Sequence, residues 1–233
     1  MLGPGRGRGW WVRVIAVIFT VGGLVIALAF ALGVARDAAP QPEQAPHAVQ
    51  TAPDCLPREG SVTLVDPDEV TAIRLDAALD RVDSWLDGHA PATANAWNRP
   101  ASRAELVTLQ RDLGVPLPSE LVIALTRHNG ARADGFTLPP AYRPLSARDI
   151  LTTAIEMCER GAGRRDGDVP FAKGDAGVLY LAEGGVYRYP GGQLHAASLT
   201  DLLERTADRL DGGGSAEYRP DVDAIGTLRW VSE

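Results

Sequence analysis

The chain has 233 residues, 45% of them hydrophobic and 23% charged, with a formal net charge of −7. That length and composition allow one packed domain, two at most. Charge is unevenly distributed: Arg6, Arg8 and Arg13 precede an uncharged run, whereas every Asp and Glu lies at position 37 or beyond. A basic tip on an acidic body sets nucleic acid aside as a partner, because phosphate neutralisation needs clustered Lys and Arg, and Lys173 is the only lysine. An acidic body either steers a basic protein partner or serves solubility alone.

The first element in chain order is the apolar run Val14–Ala35. At about 1.5 Å rise per residue a helix of this run is roughly 33 Å long, enough to cross a hydrocarbon core of about 30 Å. Trp10 and Trp11 stand where an interfacial aromatic belt belongs, and Gly22-Gly23 is tolerated in membrane helices. A cleavable signal peptide is the main alternative, given Ala29-Phe-Ala31 and Gly33-Val-Ala35. The run exceeds the roughly 7–15 apolar residues of such peptides, so an uncleaved anchor is the expectation. With three arginines before the run and Arg36 beside Asp37 after it, residues 1–13 are assigned to the cytoplasm and the rest to the extracytoplasmic side of the cell membrane.

Residues 36–65 read as a linker. Their stretch 36–58 is rich in Pro, Ala and Gln, including Pro40, Pro42, Pro46, Pro53 and Pro57, and has too little apolar surface to offset the entropy of ordering. The two cysteines, Cys55 and Cys158, have no metal-ligand spacing, and the four histidines are scattered. Cys55 and Cys158 are a candidate disulfide in an extracytoplasmic domain; two free thiols are the alternative.

A globular domain is expected over 66–211. Asp66 or Asp68 caps a helix with Ile73, Leu75, Leu79, Val82 and Leu86 on its stripe. Ser102-x-x-Glu105 is a capping box opening a helix with Leu106, Leu109 and Leu113 buried and Gly114 as its stop. A third helix passes through Leu121 and Leu125 and ends at Asn129-Gly130, both suited to a left-handed position. A short strand near Gly135–Leu138 follows, then a helix opened by Ser146 and carrying Ile150, Leu151, Ala154 and Met157. The second half is strand-rich: Asp168–Phe171, then a hairpin of Gly177–Glu183 and Val186–Tyr189 turning at Gly184-Gly185. Ser198-x-x-Asp201 opens a last helix with Leu199, Leu202, Leu203 and Leu210, and the tail 212–233 holds a short strand near Gly226–Val231. The fold class is α+β, helices packed on one antiparallel sheet.

Catalytic signatures are missing: no phosphate-cradling G-x-x-x-x-G-K-[ST], no G-x-S-x-G elbow, no H-E-x-x-H and no dinucleotide fingerprint. No catalytic residue, metal or cofactor is therefore assigned. Asp166, Asp168 and Asp175 surround a Gly-rich turn, either as a carboxylate group or as a solvated acidic turn. Tyr187 and Tyr189 share one face of their strand by alternation, as core or as an exposed patch. These five residues are the candidate partner-binding set.

The order of motifs resembles the SUKH superfamily, which includes fungal cell-wall-synthesis regulators and bacterial immunity proteins. The resemblance rests on Arg99–Pro118 with its Leu-Gly and Leu-Pro steps, the helix ending in Asn129-Gly130, Val169–Asp175 followed by Gly177–Leu181, and Ala197–Leu203. It covers roughly residues 70–210. The chain departs from the pattern at Leu181-Ala-Glu183, where many members carry Leu-Asp, at Leu199 in place of Phe, and in its membrane anchor. The resemblance implies a SUKH-like α+β fold and a binding domain rather than an enzyme. On that reading the chain is a membrane-anchored bacterial immunity protein for a toxin, a basic one given the acidic body. A cell-envelope regulatory or structural protein is the alternative.

Overall fold

In the computed structural model, residues 63–66, 68–160, 167–212 and 217–232 are described. The basic N-terminus, the expected membrane span 14–35, most of the linker and Asp166 lie outside them, and among the described residues no helix is long and apolar enough to cross a membrane. Residues 51–233 form one compact unit of helices and antiparallel sheet, as the residue patterns require.

Helix α1 (Glu69–His89) starts where Asp68 accepts a hydrogen bond from the Thr71 amide at 2.9 Å. Its buried stripe is Leu75, Leu79, Val82 and Leu86. Ile73, expected on that stripe, is 62% exposed. Two residues before Leu75 is about 160° around the helix, so it faces the other way. After the short α2 (Pro91–Ala94), α3 (Arg103–Leu113) has the full capping box: the Ser102 hydroxyl accepts from the Glu105 amide, and the Glu105 carboxylate accepts from the Ser102 amide at 2.7 Å. Gly114 closes α3 in the left-handed conformation.

Those Ser102 donors, with Arg99, hold the Glu105 carboxyl down at about 2 against an ordinary 4.5. A lowered folded-state value means stability that is complete above pH 4.5 and lost as pH falls toward 2. Glu105→Gln should therefore flatten the acid limb of a pH–stability curve in that window, and Ser102→Ala should cost about 1 kcal/mol at neutral pH. Urea unfolding at stepped pH measures both; an unchanged acid limb in Glu105→Gln would rule the capping carboxylate out as its source.

Helix α4 (Ser119–Arg127) buries Leu121 and Leu125 and ends at His128. Of the following pair only Gly130 is left-handed, with φ 70°; Asn129 instead accepts from the Ala147 amide at 2.7 Å. A side chain at Gly130 would run into the backbone of Leu145 and Ser146, so glycine is needed for the close approach as well as the turn. The strand expected near Gly135–Leu138 is replaced by a turn in which Leu138 and Tyr142 bridge each other, because Pro139 and Pro140 supply no amide donors to a ladder. The strand falls later, as β1 (Arg143–Pro144), and Ser146 then caps α5 (Ala147–Glu159).

Strands β2 (Val169–Gly174), β3 (Gly177–Ala182), β4 (Gly185–Tyr189) and β5 (Gln193–Ala196) follow β1 in spatial order β1-β2-β3-β4-β5, and all the neighbouring pairs are antiparallel. The β3–β4 turn lies at Glu183-Gly184, one residue earlier than expected, because Ala182 pairs with Gly185. Strand β5 was not anticipated: Gln193–Ala196 is short and carries little apolar patterning. Helix α6 (Leu199–Leu210) is capped by Ser198, and the Glu120 side chain of α4 also accepts from the Leu199 and Thr200 amides at 3.2 and 3.1 Å. A carboxylate at a helix N-terminus opposes the helix dipole favourably and ties α4 to α6.

The segment read as a tail is a folded hairpin, β6 (Tyr218–Val222) with β7 (Leu228–Ser232). The Leu228 amide donates to Thr93 Oγ1 at 2.8 Å and Trp230 Nε1 to the Thr137 carbonyl at 2.7 Å. Leu64, placed in the linker by composition, is buried in the core. Leu179, Leu181 and Val186 of the sheet join Leu75, Leu86, Leu121, Ile150 and Leu202 of the helices in one hydrophobic cluster.

Candidate protein-binding surface

Alternation gives the sheet two faces. Leu179 and Leu181 of β3 and Val186 of β4 point into the core. On the opposite face, Tyr180 pairs across strands with Tyr187, and Val178 with Tyr189. The Tyr180 and Tyr187 rings stack with centroids 5.8 Å apart, and all three tyrosines are half-buried. Leu194, the β5 partner of Tyr187, is 61% exposed. Tyr187 and Tyr189 therefore lie together, outside the core, on a surface that ends in an exposed leucine.

The acidic residues do not gather there. Asp175 is exposed in the β2–β3 turn, while Asp168 is buried just before the opposite end of β2. At about 3.3 Å per residue the two are roughly 23 Å apart along the strand. Extended backbone separates what looked clustered in sequence, so Asp168 and Asp175 do not share a site. Asp166 lies outside the described residues. Among the described residues no three His, Cys, Asp or Glu side chains converge as metal ligands. Cys158, on α5, is disulfide-bonded; Cys55 lies outside the described residues.

The carboxylates that do gather lie on the α1–α6 face. Arg81 of α1 donates to Asp208 at 2.8 Å and to Asp211 at 2.6 Å, and Arg74 to Glu204 at 2.6 Å. Beside them is an open groove of about 380 Å³ lined by Asp80, Arg81, Ser84, Trp85, His89 and Asp211. The Trp85 and His89 rings stack in it at 4.7 Å. Helix α1 carries five acidic residues and two arginines, and Asp80 of these lines the groove.

Below α1, Asp83 accepts from His128 Nε2 at 2.9 Å and from Arg127 Nε at 2.8 Å. Burial by itself would raise the Asp83 carboxyl, but the hydrogen bonds and charges of His128 and Arg127 outweigh it and hold it below the usual carboxylate range. His128 is the C-cap residue of α4, and its ring lies flat on Trp97 with centroids 4.3 Å apart. The partners Asp83 and Trp97 are remote in sequence, so no local signal announced them. The cavity lined by Trp97, His128, Phe136 and Leu199 holds about 50 Å³, against the roughly 300–1,000 Å³ of ligand pockets, so it fits solvent rather than a substrate.

These features define a small α+β domain with an aromatic sheet face and a carboxylate-rich helical face. No family model matches the chain, and neither does any curated protein.

Proposed function

We propose that this protein is a membrane-tethered, non-enzymatic binding module with a SUKH-like domain, acting as an immunity-type protein that sequesters a basic toxin. In this reading Val14–Ala35 anchors the chain, the N-terminus is cytoplasmic, the domain is extracytoplasmic, and Cys158 bridges to Cys55. The reading is carried by the face bearing Tyr180, Tyr187, Tyr189 and Leu194, which stands outside the hydrophobic core. Tyrosines offer large contact area at small conformational cost and are enriched among the residues that dominate binding energy. The acidic α1–α6 face supports a basic partner by steering its approach. The SUKH-like assignment is supported by the order of capped helices and hairpin strands that carries the resemblance.

Photo-crosslinking tests this reading directly. A benzophenone amino acid at position 187 or 189 of the full chain, in native membranes, should yield one discrete protein adduct. The same probe at Arg103, exposed on α3, should not. Against that partner, Tyr187→Ala should weaken binding by about 2 kcal/mol, roughly thirtyfold in Kd. Adducts that are identical at positions 103, 187 and 189, or none at all, would remove the sheet face as the binding surface.

A further inference from the structure

The open groove of about 380 Å³ between α1 and the end of α6 has an aromatic ring set among carboxylates. Trp85 stands in its wall half-buried, about one helical turn from Arg81 on one side and from His89 on the other. The His89 ring stacks on the indole with centroids 4.7 Å apart and 18° between the planes, and His89 Nδ1 donates to the Trp85 carbonyl at 2.9 Å. A carbonyl only accepts, so Nδ1 carries the proton, and the neutral ring keeps Nε2 as an acceptor. Two contacts with one neighbour hold the indole in place, so a ligand that meets it pays little of the entropy of ordering a free side chain.

Carboxylates outnumber cations around this ring. Arg81 engages Asp208 through Oδ1 at 2.8 Å and Asp211 through Oδ2 at 2.6 Å. Arg127 engages Asp80 through Oδ1 at 2.6 Å and is shared with Asp83. Four carboxylates therefore divide two guanidinium groups between them. The second oxygens of Asp80 and Asp211, both groove-lining residues, receive no hydrogen bond from the described residues. Water serves exposed oxygens well, so the carboxylates by themselves select no ligand. The fixed indole does select: a cation resting on tryptophan beside carboxylates is attracted by both. A guanidinium fits this combination better than an ammonium, being planar for stacking, weakly hydrated, and forked toward two acceptors at once.

We propose that this groove seats one arginine side chain of a basic protein partner, its guanidinium resting on Trp85 and donating to Asp80 and Asp211. The proposal rests on the reading of the protein as a binding module for a basic partner, and gives the acidic face a contact of its own beyond steering. Trp85 is then an anchor on the helical face, apart from the tyrosines of the sheet.

Two-dimensional NMR of the full chain in nonionic detergent tests the proposal, with N-acetyl-arginine amide, N-acetyl-lysine amide and N-acetyl-citrulline amide as probes. The arginine probe should shift the Trp85 indole and Ser84 amide signals and saturate at millimolar concentration. The lysine probe should bind several-fold more weakly, and the uncharged citrulline probe not at all. Trp85→Ala, which removes no charge, should weaken the arginine probe about tenfold, and Asp80→Asn several-fold, with the far-ultraviolet circular dichroism unchanged. Trp85→Phe should recover part of the loss. Absence of shifts in the groove, equal binding of the lysine and arginine probes, or affinity that ignores Trp85→Ala in folded protein would overturn the proposal. A partner crosslinked at position 187 whose affinity ignores Trp85→Ala would also overturn it, while leaving the sheet-face reading in place. Groove binding of the arginine probe with no adduct at 187 or 189 would uphold the groove and remove the sheet face instead.

Discussion

Leu179→Ala is expected to destabilise the folded unit by about 3 kcal/mol, within the range seen when a buried leucine is cut back to alanine. Leu179 has no exposed surface and sits on β3, the middle strand of five, so neighbours close it in from both sides. The loss combines the transfer energy of the missing methyl groups with the void they leave, which paired strands on either side cannot collapse to fill. Against a total of roughly 5–15 kcal/mol for a domain of ordinary stability, that is a large fraction. Urea unfolding of a fragment spanning residues 51–233 should show a lower midpoint at constant slope. Tyr187→Ala, on the other face of the neighbouring strand, removes mainly a cross-strand ring contact and should cost about 1 kcal/mol or less. Equal losses at the two positions would contradict the division of the sheet into a core face and an outer face.

Asp83→Ala should cost about 2 kcal/mol at neutral pH. Its carboxylate is only 20% exposed and joins Arg127 and His128 of α4 to α1. Removal leaves two donors facing a partly buried gap, and the penalty of an unmatched polar group exceeds the net worth of the pair. The value is kept below that of a fully buried pair because Arg127 retains Asp80 at 2.6 Å and water reaches its guanidinium. The acid dependence follows from the direction of the shift. With the Asp83 carboxyl lowered in the fold, its contribution is whole above the ordinary value of 3.8 and fades as pH falls below it. Wild type and Asp83→Ala should therefore differ most near pH 7 and converge as pH falls well below the ordinary carboxylate value. A difference that stays constant across that range would show that the carboxylate charge is not the stabilising element.

Much of the helical half was legible in sequence because helix ends are local. Ser102, Ser146 and Ser198 each satisfy an amide three residues on, and Asp68 does the same for Thr71, so the caps stand as read, and so does the α1 stripe apart from Ile73. The β3–β4 hairpin was legible for a similar reason: alternation and a glycine turn act over a few residues. Where sequence misled, a longer reach was involved. Ile73 is apolar yet lies off the stripe by helical phase, and Gly135–Leu138 meets two prolines instead of a partner strand.

Residue spacing by itself determined helices α1, α3, α4, α5 and α6 and the β3–β4 hairpin, and that Tyr187 and Tyr189 share a face, because those properties depend on neighbours within one or two turns of chain. Only the tertiary structure decided that this face lies outside the core, that Asp168 and Asp175 stand apart, and that Asp83 meets His128. Such contacts join residues tens of positions apart, and their energies arise from burial and charge proximity that exist only once the layers have packed.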